Sequence, residues 1–344
     1  LFFDTVIIIS VKNYDLKGNY SRYTKKVIEK STKQLFGAER KLFDSTRKVF
    51  ISHPYKKPEI FNPKNYKNIF RITVSIGEDF EKYSFIDNKE GKGCVNIFNK
   101  ETFIAIINEL DTIKDLVEYL KMREQLLERN RDKISLCKEK DLLAYYLMNN
   151  REFNEKLYSD FETQTEKLKN QWERYNSNKS VILKKLANSR SYFIDDLIKN
   201  DVLKRDDGEL LAAELMTLSR FERRLIADNL FEIVDKYQDY SDFLARRFMK
   251  YNGVGFLFIY YPIEKSQEDI DTIVHKALQL YSYFHKTNKI VLLAAAQNMI
   301  QWKFGLFIAS ELTPEVELYL IKTAKDLGWF QNEKITETYI DEYP

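Results

Sequence analysis

Lys12 ends an apolar run, Val6-Ile7-Ile8-Ile9, that continues through Ser10 and Val11, and Gln34 stands in the next segment of helical periodicity. An ammonium, a hydroxyl and an amide gathered at one strand end suit a phosphodiester. The cation offsets phosphate charge and, in hydrolysis, stabilises developing hydroxide and the charged transition state. Hydrolysis also calls for hard oxygen ligands to a metal such as Mg²⁺, for which carboxylates must converge. Each residue carries a second reading. A lysine at a strand end also serves as a charge that limits aggregation. Gln34 borders the apolar face of Val27, Ser31 and Ala38, and Glu29 has i,i+4 spacing to Lys25 and Lys33. Asp4, beside Thr5, has the character of a turn residue.

Around these residues the charge is one-sided. Lys17, Arg22, Lys25, Lys26, Lys30, Lys33, Arg40, Lys41, Arg47 and Lys48 crowd one loop and helix, opposed nearby by Asp15, Glu29, Glu39 and Asp44. Tyr14, Tyr20 and Tyr23 interleave with them and could stack on bases or bond phosphates, so Lys17, Arg22, Lys25, Lys26 and Lys33 form a candidate nucleic-acid track. A solvated helix face is the other account of the same charges.

The elements that must position these groups follow from periodicity. Residues 1–12 predict a β-hairpin turning at Asp4 and Thr5, whose continuous apolar run implies a central strand covered on both faces. Apolar positions between Ser21 and Lys48 follow helical spacing, Ile69–Ile76 alternates as a strand, and Cys94–Phe98 is a third strand. From Glu101 helical periodicity takes over, over 103–130, 141–148, 153–175, 181–199 and 209–237. Mixed character returns with strands at Gly255–Tyr261, Lys289–Ala296 and Lys303–Ala309 and helices at 267–285 and 314–327. The division predicted is an α/β domain over 1–100, an all-α domain over 101–250 and a small α/β domain over 251–344.

The order of strand, Ser10-Val11-Lys12, basic segment and helix with Gln34 resembles the core of PD-(D/E)XK nuclease-like proteins, in particular their Mrr-like branch. The resemblance spans about residues 1–100 and implies a restriction-endonuclease-like fold for them. In that family two acids, one upstream and one preceding the lysine on the strand, hold a divalent metal, while the lysine positions and activates water and the helix glutamine faces the site. Lys12, Gln34 and Ser10 take the catalytic positions. Ser10 and Val11 depart from the pattern, since the strand offers no carboxylate. Some members carry Ser-x-Lys and draw the acid from the following helix, a role open to Glu29; Asp4 is the fallback for the other. The chain opens inside an apolar run, so further residues of this domain are expected upstream. The resemblance implies a DNA-binding protein, with Mg²⁺ an endonuclease, in bacterial defence against foreign DNA. A non-catalytic interaction protein that keeps the nuclease-like sheet as a scaffold, and meets protein partners through its helical and C-terminal domains, is the alternative; RNA in place of DNA is a third.

Composition bounds the rest. The 344 residues are 44% hydrophobic and 31% charged, which excludes a disordered tail or collagen-like fibre, and 10 Gly and 6 Pro favour helix-rich structure. A net charge of +3 places any preference for anions in local clusters. Cys94 and Cys137 form neither a disulfide framework nor a metal motif, which suits the reducing cytoplasm, and neither reads as catalytic. No apolar run reaches membrane-spanning length, so no membrane partner is expected. His53, His275 and His285 are too dispersed for a zinc site, and the acid-rich stretch after Glu311 argues against nucleic acid there. Arg220, Arg223, Arg224, Arg246 and Arg247 read as helix-surface ion pairs or a second basic surface.

Overall fold

Five consecutive β-branched residues stiffen the chain into β1 (Thr5–Lys12). This computed structural model describes all residues except 16–17, 54–55, 78–85, 90–92, 131–136, 241–243, 298–300, 332–335 and 344. Instead of a hairpin turning at Asp4 and Thr5, a two-residue reversal at Phe3 and Asp4 joins Phe2 to Thr5 by two backbone hydrogen bonds of 2.9 and 2.8 Å. Phe3 takes φ 47° there.

The chain continues through α1 (Tyr20–Tyr23), a π-helical segment (Thr24–Glu29) and α2 (Lys30–Leu42). A separate two-stranded ribbon, β2 (Phe50–His53) and β3 (Lys56–Ile60), precedes β4 (Asn68–Ser75). Then come β5 (Ile86–Lys89), β6 (Gly93–Asn99), α3 (Lys100–Glu109) and α4 (Ile113–Arg129). The first sheet has the order β1-β4-β6-β5, with β1, β4 and β6 parallel and β5 antiparallel. Ile28 and Leu35 from the helices pack on Val95 and Ile97 of β6, with Ile8 of β1 beside them.

Within this sheet β1 is an edge strand, not the central one its sequence predicts. On its far face Ile9 and Val11 are 49% and 58% exposed, because α3 on that side packs on β4 and β6. The helical run then breaks into short pieces: α5 (Glu139–Met148), α6 (Glu155–Ser159), α7 (Phe161–Leu168), α8 (Gln171–Ser177) and α9 (Lys179–Ala187). Local chemistry sets the breaks: the Thr112 side chain caps α4, and Asn170 adopts φ 60° before α8.

Further along come α10 (Tyr192–Asn200), α11 (Glu209–Met216) and α12 (Arg220–Tyr237), the last begun by a capping box of Ser219 and Glu222. The second sheet, order β10-β9-β8-β7, comprises β7 (Ala245–Tyr251), β8 (Val254–Tyr261), β9 (Lys289–Ala296) and β10 (Trp302–Ile308). β8 and β9 are parallel, linked by α13 (Gln267–Phe284), and α14 (Pro314–Asp326) follows β10. One core lies on the α10–α12 side of this sheet and another on the α13 side.

By its internal contacts the chain divides into two compact units, 1–183 and 184–344, each with its own sheet. In sequence the division falls within α9, so α3–α8 belong to the first unit and α10–α12 to the second. No helix of the described residues is long and apolar enough to cross a membrane.

Candidate functional site

The side of the first sheet that carries Lys12 is covered by α1, the π segment and α2. Parallel register places Lys12 opposite Ser75 and Ser10 opposite Thr73, so all four side chains leave the sheet toward those helices. The contact is polar. Tyr23 Oη and Ser75 Oγ lie 2.7 Å apart, Ser31 Oγ and Thr73 Oγ1 2.8 Å, and Arg71 donates to both oxygens of Glu39 at 2.5 and 2.6 Å. Ser31, Thr73 and Ser75 are buried, so these bonds satisfy hydroxyls that the interior would otherwise penalise.

At the open flank of this layer the ammonium of Lys12 donates to Oε1 of Gln34, uniting strand end and helix. Lys12 is half-buried and Gln34 exposed. Burial, reinforced by the positive charge of Lys30, pulls the Lys12 pKa below its ordinary value. The charge that bears on Lys12 is thus another cation. Arg22, Lys26, Lys30 and Lys33, three or four apart along the helices, and Lys25 beside Lys26, are all exposed and continue from this point as a basic stripe. Lys17 lies outside the described residues.

The proposed metal ligands are not gathered here. Asp4 stands at the opposite end of β1, about 26 Å from Lys12 at the rise of a strand, with Oδ1 accepting from the Thr5 hydroxyl at 3.2 Å. Glu29 ends the π segment on the helix layer, exposed, and among the described residues it makes no ion pair with Lys25 or Lys33. Among the described residues no group of three or more His, Cys, Asp or Glu converges anywhere. An amide oxygen already engaged by Lys12 and the Ser10 hydroxyl do not make the oxygen shell Mg²⁺ requires, so this donor set does not fit the metal.

Elsewhere the polar residues are structural. Arg123, fully buried, donates to both oxygens of Glu139 at 2.7 and 2.8 Å and to Asn96 Oδ1 at 2.6 Å. Burial pushes the Cys137 thiol well above the usual range, which keeps it protonated, and Cys94 donates to Glu128 at 2.7 Å. Arg220 and Arg223 are buried and share Asp195, whereas Arg247 pairs with Glu232 and Arg246 stacks on Trp329, 3.6 Å from its ring centre. Most of this arginine cluster is therefore internal cement. His285 stacks against both Phe248 and Tyr281, which also stack on each other.

Arg71, Thr73 and Ser75, which with Ser31, Glu39 and Tyr23 fix helix to strand behind Lys12, escape sequence reasoning, and Tyr23, read there as a ring for bases or phosphates, is instead buried against Ser75. Their signal was the alternation of Arg71, Thr73 and Ser75, which reads as a solvated strand face but is a buried polar one. No family model, curated protein or solved structure matches this chain.

Proposed function

We propose that the first unit binds nucleic acid, DNA in the first instance, by its phosphodiester backbone, with Lys12 and Gln34 as the anchoring point and the stripe of Arg22, Lys25, Lys26, Lys30 and Lys33 as the track. The observation that carries this reading is the convergence of Lys12, Gln34 and Lys30 at one strand end. Two ammonium groups near one another repel, and an anion between them relieves that repulsion. The C-terminal ends of strands in a parallel sheet are also where α/β folds place ligands, and Lys12 is the last residue of β1.

In this reading the described residues bind without cutting. The second reading, a Mg²⁺-dependent phosphodiesterase acting in cytoplasmic defence, draws on the same Lys12–Gln34 contact, since the nuclease-like resemblance pairs those positions. It needs carboxylates beyond those at Lys12.

Anisotropy of a labelled duplex, titrated with the whole chain at several salt concentrations, tests the proposal. Six cations give a log–log salt slope no steeper than about −5, and Lys12→Ala is expected to make it shallower by about one. Affinity indifferent to salt, or equal for Lys12→Ala, refutes the interface and favours the protein-interaction scaffold. Plasmid cleavage that needs Mg²⁺ and vanishes in Lys12→Ala selects the enzyme.

A further inference from the structure

In the second unit the chain's end returns onto the helices. Residues 336–340 form neither helix nor strand and are exposed, Tyr339 to 96%, whereas Glu342 and Tyr343 are half-buried. They meet two cations that are almost fully buried, Lys184 of α9 at 5% exposed and Arg224 of α12 at 3%. Arg224 Nη2 donates to the backbone carbonyls of Asp341 and Glu342 at 3.3 and 2.9 Å. Lys184 Nζ pairs with Glu342 Oε1 at 2.5 Å, lies 3.4 Å from Tyr343 Oη, and sits 4.5 Å from the centre of the Tyr343 ring.

We propose that Lys184, Asn188 and Arg224 form a recognition site for an extended acidic and aromatic peptide segment, and that Asp341-Glu342-Tyr343 fills it in cis as a displaceable strap. Three features separate this from ordinary tail packing. The receiving groups are held by the unit's own side chains: Asn188 Oδ1 accepts from Arg224 Nη1 at 3.3 Å, and the guanidinium lies over the Phe221 ring at 4.9 Å. Recognition is divided between main chain, read by one guanidinium, and a carboxylate plus ring, read by one ammonium, which is how short linear segments are captured. The stretch before the segment, residues 336–340, is exposed and belongs to no helix or strand, so its release needs none of those residues to unfold. With the segment gone the two cations keep a positive charge and free donors at one surface, which an acidic segment satisfies better than a neutral one.

Attachment to the same chain raises the strap's effective concentration, so a free peptide competes poorly with it until the strap is weakened. The probe is a fluorescein-labelled peptide of residues 336–344, titrated by anisotropy into the intact chain and into the full chain carrying Glu342→Ala and Tyr343→Ala. The altered chain is expected to bind at least tenfold more tightly, a scrambled peptide not to compete, and further Arg224→Gln to abolish binding. No binding to the altered chain, or equal affinity in both, overturns the proposal. Should the double substitution lose its cooperative melt, Tyr343→Leu alone repeats the titration. If that chain also fails to fold, the tail is core and the strap is refuted.

Discussion

Glu29 is the residue at which the two functional readings diverge. It stands exposed beside Lys30 and Lys33, at the edge of the basic stripe. For a phosphate track its carboxylate is a repulsive charge, and Glu29→Gln is expected to tighten DNA binding a fewfold at low salt, an effect that fades as salt screens it. For a metal site the same substitution removes a ligand and abolishes Mg²⁺-dependent cleavage; one titration and one plasmid assay separate them. Lys12 offers a pH signature. Its pKa is lowered, first by burial and then by Lys30, and a bound phosphate favours its charged form. Binding therefore takes up a proton over the range between the lowered pKa and the ordinary lysine value. Affinity is expected to fall as pH rises through that lowered value, and Lys12→Arg, which keeps its charge, is expected to shift the loss to higher pH. In the free protein the sign is opposite in consequence: the unfolded chain holds more protons across that range, so stability rises with pH there. Wild-type and Lys12→Arg binding curves that superimpose at alkaline pH would exclude Lys12 from the interface.

Between residue and domain, the helix over Lys12 owes its geometry to the π segment. Tyr23 and Ser31 are eight residues apart, which in a uniform α-helix would leave them about 80° apart around the axis. The wider turn of Thr24–Glu29 slows that rotation, and both side chains reach β4. Sequence periodicity located the helix but could not show this, because a π turn displaces the pattern by less than the irregularity that side-chain choice already introduces. Strands at Ile69–Ile76, Gly255–Tyr261 and Lys289–Ala296 were legible for the opposite reason: long apolar or alternating runs dominate any local preference. β7 was missed despite its signal, the Asn252-Gly253 pair, whose φ of 47° and 78° makes the tight turn of a hairpin. The charges at Arg246, Arg247 and Lys250 hid the strand. At the site, the strand ending at Lys12 and the helix carrying Gln34 were legible as strong elements, and the structure joins the two side chains, whereas Asp4, the fallback acid of the resemblance, lies at the other end of β1. The exposed face of β1 gives the prediction at this scale. Ile9→Thr and Val11→Thr are each expected to change stability by less than about 0.5 kcal/mol in urea melts, while lowering self-association measured by light scattering. A loss of several kcal/mol would mean that this face is covered in solution.

Over the whole chain, each of the two units has its own sheet and its own buried side chains, and this bears on how the protein unfolds. In the first, Arg123 and Glu139 are 0% and 1% exposed, and the pair is tied to β6 through Asn96. Removing one member leaves a buried cation with half its partners, and Glu139→Gln is expected to cost the first unit about 3–5 kcal/mol. In the second, Leu230 is fully buried in the core shared by α12 and the sheet, and Leu230→Ala is expected to cost about 2–5 kcal/mol through lost transfer energy and a residual cavity. Units stabilised by separate cores need not melt together, so urea unfolding is expected to show two transitions. Glu139→Gln should lower the midpoint of one and Leu230→Ala that of the other. Tryptophan emission reports both, since Trp172 lies in the first unit and Trp302 and Trp329 in the second. A single transition shifted alike by either substitution would show that the units are thermodynamically one, and the nucleic-acid interface on the first would then weaken with every core defect in the second. With two transitions, Leu230→Ala should leave duplex affinity unchanged under conditions where the first unit stays folded, because every residue of the proposed interface lies between Lys12 and Gln34.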